Sequence, residues 1–343
     1  MNKKLQFLAI KTFMMFIASF FLLSCNSGTN TLDANVSEEP TESNTKTAAD
    51  FEISLAQWSL HRTFFGGAID DWAWFGEMLM ESPDSLLQGE VDPMNFPVMA
   101  RDYGVNAIEL VNTFYYSKAN DDQYWSDFKK KCDEAGVIVG LIMCDALGNL
   151  GDADPVARKS AVENHYPWVD IAKFLGAKAI RVNAAGQGTP EEVAANAVDG
   201  LSNLGKYGAT KGIDIIVENH GGFSSDGKWL SGVMEKVGMD NVGTLPDFGN
   251  FCIESGPEGC IKEYDRYEGM AELMPYAKGV SAKSHEFDAE GNETNSDFLK
   301  IMKIVKESGF KGYVGIEYEG RELSEDAGIK ATKALLEKVF SEL

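Results

Sequence analysis

The chain has 343 residues, 53 acidic against 31 basic side chains, a formal net charge of −22, four histidines and five cysteines. So negative a surface excludes holding nucleic acid, whose phosphates would be repelled, and the charge is spread rather than run together, as on a soluble, self-repelling surface. The length is enough for one large α/β domain with a substantial core.

In chain order, Lys3 and Lys4 come first, then the run TFMMFIASFFLLS and the tetrad LLSC. The apolar stretch after Lys11 is 13 residues long, short of the roughly 20 that span a membrane. Residues 1–24 therefore read as a secretory signal peptide. LLSC resembles the bacterial lipoprotein signal, which implies that Cys25 is lipidated. The protein would then be exported and held to a bacterial membrane by its lipid anchor only, periplasmic or at the cell surface. Residues 25–50 are rich in Ser, Thr, Asn and Glu with almost no aliphatic content, the composition of a disordered tether reaching roughly 25 to 30 Å.

From Phe51 to Leu343 the pattern alternates strand and helix. Apolar, β-branched-rich runs occur at ISLAQWSL, NAIELV, VIVGLIMC, AKAIRVNA, IDIIVEN, VGTLPDF, KGVSAKSH and YVGIEYE, which is eight. Between them, helical spacing covers Trp125–Ala135, Ala161–Leu175, Glu191–Lys211 and Asp297–Glu307. Glycines in EAGV, FLGA, TKGI, KVGM and ESGF fit helix C-caps. Eight such units predict a (β/α)8 TIM barrel over residues 51–343. After strand one, Phe64–Asn95 is an insertion rich in Trp, Phe and Met, either a lid over the barrel mouth or a packing excursion. GGFSSDGKW reads as a turn into a helix with Ser or Asp at the N-cap, and His165, mid-helix, reads as structural. Cys252 and Cys260 are close enough to bridge, or are free like Cys132 and Cys144.

Four strands end in one carboxylate or imidazole. IIVENHGG, GTLPDFGNF, VSAKSHEF and YVGIEYEG carry Glu218, Asp247, His285 and Glu317 at intervals of 29, 38 and 32 residues. Each interval is about one strand plus one helix, so the four converge at the C-terminal mouth of a barrel, where active sites lie. Three carboxylates and one imidazole suit one divalent metal ion: Mn, Mg, Co or Zn. The same rim offers substrate-binding candidates. Glu109 ends strand two, Arg181 and Asn183 share one side at the end of strand four, and His220 follows Glu218 with Asn219. Lys283 precedes His285 by two, and Trp58 and His61 close strand one as an aromatic platform. For each, a rim salt bridge, hydrogen bond or core position is the alternative.

The domain resembles the xylose isomerase-like sugar isomerase and epimerase superfamily, most strongly in VENHGG, LPDFGNF, AKGVSAKSHEFD and GIEYEG, and within it the exported bacterial branch of the sugar phosphate isomerase/epimerase family. The resemblance implies that Glu218, Asp247, His285 and Glu317 ligate the metal. It also implies that Glu218 and Glu317 act as opposed acid and base on a carbon beside a sugar carbonyl. No Gly-rich phosphate loop stands out, so the expected substrate is an unphosphorylated sugar or keto-sugar.

Two departures bear on the reaction. Ketose 3-epimerases carry a histidine three residues past the strand-six aspartate and an arginine six past the strand-seven histidine, where this chain has Asn250 and Gly291. The alternative is a 3-keto-glycoside lyase that expels the aglycone from the same enolate. Other classes fit less well. A zinc endonuclease of this superfamily needs more histidines and a basic cleft, and a metal-free glycoside hydrolase leaves Asp247 and His285 without a purpose. A non-catalytic glycan-binding lipoprotein needs no metal site. The sequence leaves monomer and homo-oligomer equally open.

Overall fold

The computed structural model describes residues 50–343 except Glu258. The signal peptide, the lipidation candidate Cys25 and the tether up to residue 49 lie outside the described residues.

Among the described residues, ten strands and eleven α-helices follow in chain order. β1 (Phe51–Ala56) is followed by α1 (His61–Phe65), α2 (Trp72–Glu81) and α3 (Phe96–Asp102). Next come β2 (Ala107–Val111), α4 (Asp122–Ala135), β3 (Ile138–Met143), α5 (Pro155–Asn164), α6 (Tyr166–Leu175) and β4 (Ala179–Val182). The third quarter holds α7 (Pro190–Lys211), β5 (Asp214–Glu218), α8 (Gly227–Val237), β6 (Val242–Leu245) and the hairpin β7 (Cys252–Gly256) and β8 (Gly259–Glu263). The chain ends with α9 (Arg266–Leu273), β9 (Val280–Ser284), α10 (Phe298–Glu307), β10 (Gly312–Tyr318) and α11 (Glu325–Glu342).

Eight strands form one parallel sheet in the order β6-β5-β4-β3-β2-β1-β10-β9. Parallel bridges Thr244–Ala277 and Asp247–Ser281 join its two edges, with Phe248 N donating to Ser281 O (3.0 Å) and Ser281 N to Pro246 O (2.9 Å). The sheet is therefore closed, and the fold is a (β/α)8 TIM barrel with all eight expected strands. They were readable because parallel strands covered on both faces are continuous apolar runs.

Local chemistry ends the elements where expected. Asp226 caps α8 by accepting from Trp229 N (3.0 Å), and Thr189 and Glu192 form a reciprocal capping box on α7. Two expectations change. The run ISLAQWSL is strand only to Ala56, because Gln57–Leu60 turns into a 3₁₀ segment; Trp58 and His61 leave the strand and swing over the mouth. The helix expected over Ala161–Leu175 is two, broken around His165, with Pro167 in the first turn of α6. His165 is buried, and its Nδ1 donates to Ala161 O (2.7 Å); burial pushes its pKa down to about 4. Cys252 and Cys260 are joined by a disulfide across the β7–β8 hairpin, while Cys132 and Cys144 are free and buried.

The end of β10 shows how the outer ring aims inner side chains. Strand alternation sends Glu317 and Glu319 one way and Tyr318 the other. The Tyr318 ring is buried against α11, where a Cβ added at Gly328 would lie 2.3 Å from it. The outward anchor fixes the inward pair. Gly328→Leu is expected to cost about 3 kcal/mol through overpacking, measured as a lower urea midpoint.

Candidate metal centre and substrate cavity

Glu218 is the last residue of β5, Asp247 lies two past β6, and Glu317 sits near the end of β10. Their side chains are buried, and one oxygen from each lies within 4.8 Å of the other two. Asp247 Oδ1 accepts from the backbone N–H of Gly249 (2.8 Å) and Asn250 (2.7 Å). Glu218 Oε1 accepts from Asn250 Nδ2 (3.0 Å), and Glu317 Oε2 from Ser281 Oγ (2.8 Å). Each carboxylate thus has one oxygen fixed by a hydrogen-bond donor. Among the described residues, Asp247 Oδ2 has no hydrogen-bond partner, and Glu218 Oε2 has only the Arg181 Nε 2.8 Å away, off the N–H direction. Oriented, unsatisfied oxygens converging in a buried site fit a hard divalent cation.

Asn219, next to Glu218 in the chain, packs rather than faces the pocket. It is fully buried, donates to the backbone oxygens of Asp247 (3.0 Å) and Asn250 (3.1 Å), and accepts from Asp247 N (2.7 Å). The clamp locks the end of β5 to the turn that presents Asp247.

Two cations share the site. Arg181 is 3% exposed, and its Nη1 donates to Asp145 Oδ1 at 2.6 Å. Lys283, also 3% exposed, faces Glu317 across the sheet in register, with Nζ 3.3 Å from Glu317 Oε1 and 3.0 Å from Glu319 Oε1. Six carboxylates, from Glu109, Asp145, Glu218, Asp247, Glu317 and Glu319, face these two cations. Burial, reinforced by Glu317 and only partly offset by Arg181, pushes Glu218 up to about 7; Asp247 rises to about 7 in the same way, against the offset from Lys283. Burial opposes charge on Asp145 too, but Arg181 and His220 with the Asn183 hydrogen bond outweigh it and hold its pKa at about 2. Glu319 is likewise held at about 2 by Lys283 against its burial. Burial disfavours the Lys283 ammonium, yet the surrounding carboxylates raise its pKa well above normal.

A cavity of about 1080 Å³ opens above the carboxylates. The structure brings Trp58, His61, Arg181, His220, Lys283 and Glu317 to its wall. Trp58 and His61 stack, centroids 5.0 Å apart, with His61 Nδ1 donating to Trp58 O (2.7 Å). Crowding by the protein and the Arg181 charge keep the His220 pKa low.

Three expected residues lie away from the cavity wall or the converging set. Glu109 is not at the cavity wall. It lies inside the barrel, 3% exposed, accepting from Ser54 Oγ (2.6 Å) beneath Gly315, whose absent Cβ would sit 2.6 Å from its carboxylate. Val111 and Thr113, further along the chain, reach the mouth instead. Burial pushes Glu109 up to about 7, with Ser54 as the main offset. Asn183 does not line the cavity either; its Nδ2 donates to Asp145 Oδ1 (2.8 Å), helping to seat that carboxylate. His285 is not brought into the converging set. It lies half-buried one residue past β9, where the chain turns and its N–H donates to Glu293 Oε1 (3.3 Å), while Lys283 takes the inward position.

Asp145 and Glu319 were missed. Both follow from rules already in use: Asp145 is a carboxylate just past β3, and Glu319 is two residues beyond Glu317, hence on the same side.

These features define a barrel with a buried acidic centre at its C-terminal mouth. A sequence profile described as xylose isomerase-like TIM barrel matches residues 98–339, and the chain belongs to that family. Among solved structures it is similar to a 3-keto-D-glucoside 4-epimerase from E. coli, at 14% identity over 72% of this chain and 94% of that one, TM-score 0.58. A magnesium complex of a xylose isomerase-like TIM barrel protein from Mycobacterium smegmatis is 16% identical over 84% and 97%, TM-score 0.58. A D-psicose 3-epimerase from Clostridium cellulolyticum, solved with D-tagatose, is 13% identical over 73% and 94%, TM-score 0.59. These likenesses are of fold. No curated protein matches the chain.

The raised carboxylates fix a sign. An acid bound more tightly to its proton in the folded state stabilises below its unfolded pKa, and that contribution is lost as pH rises through the folded value. In chelator, stability is therefore expected to fall between about pH 4 and pH 8, and an added divalent cation to reverse the slope by replacing the protons. Urea midpoints across that range, with and without Mn²⁺, measure both.

Proposed function

We propose that this protein is a divalent-metal-dependent sugar isomerase or epimerase that removes a proton from the carbon beside a carbonyl of an unphosphorylated sugar or keto-sugar. The observation that carries the reading is the pair Glu218 and Glu317, both buried, with an oxygen of each within 4.8 Å of the other and Glu317 at the cavity wall, each fixed through one oxygen by a hydrogen-bond donor. A bound cation at Glu218, Asp247 and Glu317 would supply Lewis-acid stabilisation to the oxyanion that develops when the proton leaves.

The chain's own residues do the remaining work. Asn250 and Ser281 set the planes of Glu218 and Glu317, so that one carboxylate takes the proton and the other returns it. Arg181 and Lys283 offset the negative charge that builds up. Lys283 also reaches the cavity, where its N–H groups can bind a sugar oxygen. Trp58 offers a face to the apolar side of the ring. The fold likeness to sugar epimerases supports this reading as analogy.

A specific observation favours the lyase as second reading. Asn250, standing where ketose 3-epimerases have a histidine, turns its amide onto Glu218, and the cavity is at the upper end of small-molecule sites, which run about 300–1,000 Å³. In a 3-keto-glycoside, the electrons of the C2–H bond become the C1=C2 double bond while the bond from C1 to the aglycone oxygen breaks. The aglycone leaves with a proton. Export with a lipid anchor at Cys25 is part of the same proposal, supported by LLSC and by the Cys252–Cys260 disulfide, which suits an oxidising compartment.

Incubation of the metal-loaded protein in D₂O with ketoses and 3-keto-glycosides tests the proposal. Deuterium at the α carbon of intact substrate is expected for isomerase or epimerase, and released aglycone for lyase. Glu218→Gln and Glu317→Gln are each expected to slow exchange by about 10²–10⁴-fold. A Glu218→Gln protein that keeps metal and sugar and exchanges at the original rate would remove the acid/base assignment.

A further inference from the structure

The cavity has two chemically different ends. Its floor is the carboxylate and cation cluster; one side wall is α2, from the insertion after β1. The wall residues Trp72, Phe75, Gly76 and Leu79 fall at i, i+3, i+4 and i+7, one face of the helix. Trp58 and Ile69 continue that apolar surface, and the Trp58 and Trp72 rings are 6.3 Å apart.

Gly76 is the telling residue. Glycine in a helix interior is unfavourable, so its presence asks for a packing reason. None is found: among the described residues, no heavy atom lies within 4 Å of a Cβ built there. It also has no need of a positive φ. Gly76 is itself exposed and lines the cavity beside Trp72 and Phe75, so the missing side chain leaves the wall open there. Trp72 itself is 58% exposed, a large apolar ring left facing solvent beside that space.

We infer that α2 forms a second subsite that takes a flat aromatic group attached to the sugar, an aryl aglycone, over Gly76 and against Trp72, leaving Trp58 to the sugar ring. The inference rests on the sugar reading above and gives the substrate class: a glycoside whose polar ring lies over the carboxylates and whose aglycone lies along α2. The size supports it, since the cavity reaches from Lys283 and Glu317 to Leu79. Aromatic groups gain both apolar burial and ring stacking on such a wall.

Calorimetric titration of the Mn²⁺-loaded protein with phenyl and methyl β-glycosides of glucose, galactose and mannose tests it, because binding is read without turnover. For at least one of these sugars the phenyl glycoside is expected to bind at least tenfold more tightly. Gly76→Leu fills the space and is expected to cut that advantage below twofold, leaving methyl glycoside affinity unchanged and Tm at or above the original. Trp72→Ala, which removes one wall without adding volume, should reduce the advantage several-fold. Equal affinity for the two probes, no binding of either, or an undiminished advantage in Gly76→Leu would overturn the inference. Proton exchange is scored separately. A protein with the aryl preference but no exchange keeps this subsite and loses the catalytic reading; exchange without the preference does the reverse.

Discussion

The arrangement depends on a deliberate excess of buried negative charge. Six carboxylates stand around two buried cations at one end of the barrel, and desolvation makes each unneutralised charge costly. Much of the local structure manages that cost. Asp145 and Glu319 are paired with Arg181 and Lys283 and remain ionised well below neutrality. Glu218 and Asp247 are left with oxygens free and proton affinities raised. The outer pairs spend the available positive charge, so the deficit is concentrated on the inner group. The divalent cation proposed above would relieve that deficit.

The barrel supplies the rigidity that such a cluster needs. Closure between β6 and β9 runs through Asp247 and Ser281 themselves, so the same backbone hydrogen bonds that complete the fold also seat the acidic centre. Asn219 ties β5 to the turn after β6, and Tyr318 ties β10 to α11. Relaxation that would let the carboxylates splay apart is blocked from three directions. Repulsion among them is held as a standing property of the folded state.

The fold was legible because each barrel strand is covered on both faces, which leaves an apolar run bounded by glycine-capped helices. Strand-end carboxylates were legible for the same reason: a charge terminating such a run has few places to go except the mouth. Depth along the barrel axis was not legible. Glu109 sits mid-strand, two residues before β2 ends at Val111, so it lies one layer lower than Glu218, where Gly315 leaves a hollow for it from a strand over 200 residues away. The side of a turn was equally hidden. Lys283 and His285 have the same parity, but the chain bends after Ser284, so periodicity no longer tells where His285 points. The end of the first strand shows a related limit, since QWSL is as apolar as a strand and only its tertiary setting makes it a turn.

The insertion after β1 leaves the barrel before the first helix of the ring and returns to it before β2. Neither Glu218, Asp247 nor Glu317 is hydrogen-bonded to any residue of α2. In the proposed reading, chemistry and selectivity therefore stand on separate stretches of chain. Substitutions on α2 would then change the surface that meets the variable half of a molecule while the charged floor stays as it is, giving the proposed catalyst an exchangeable front.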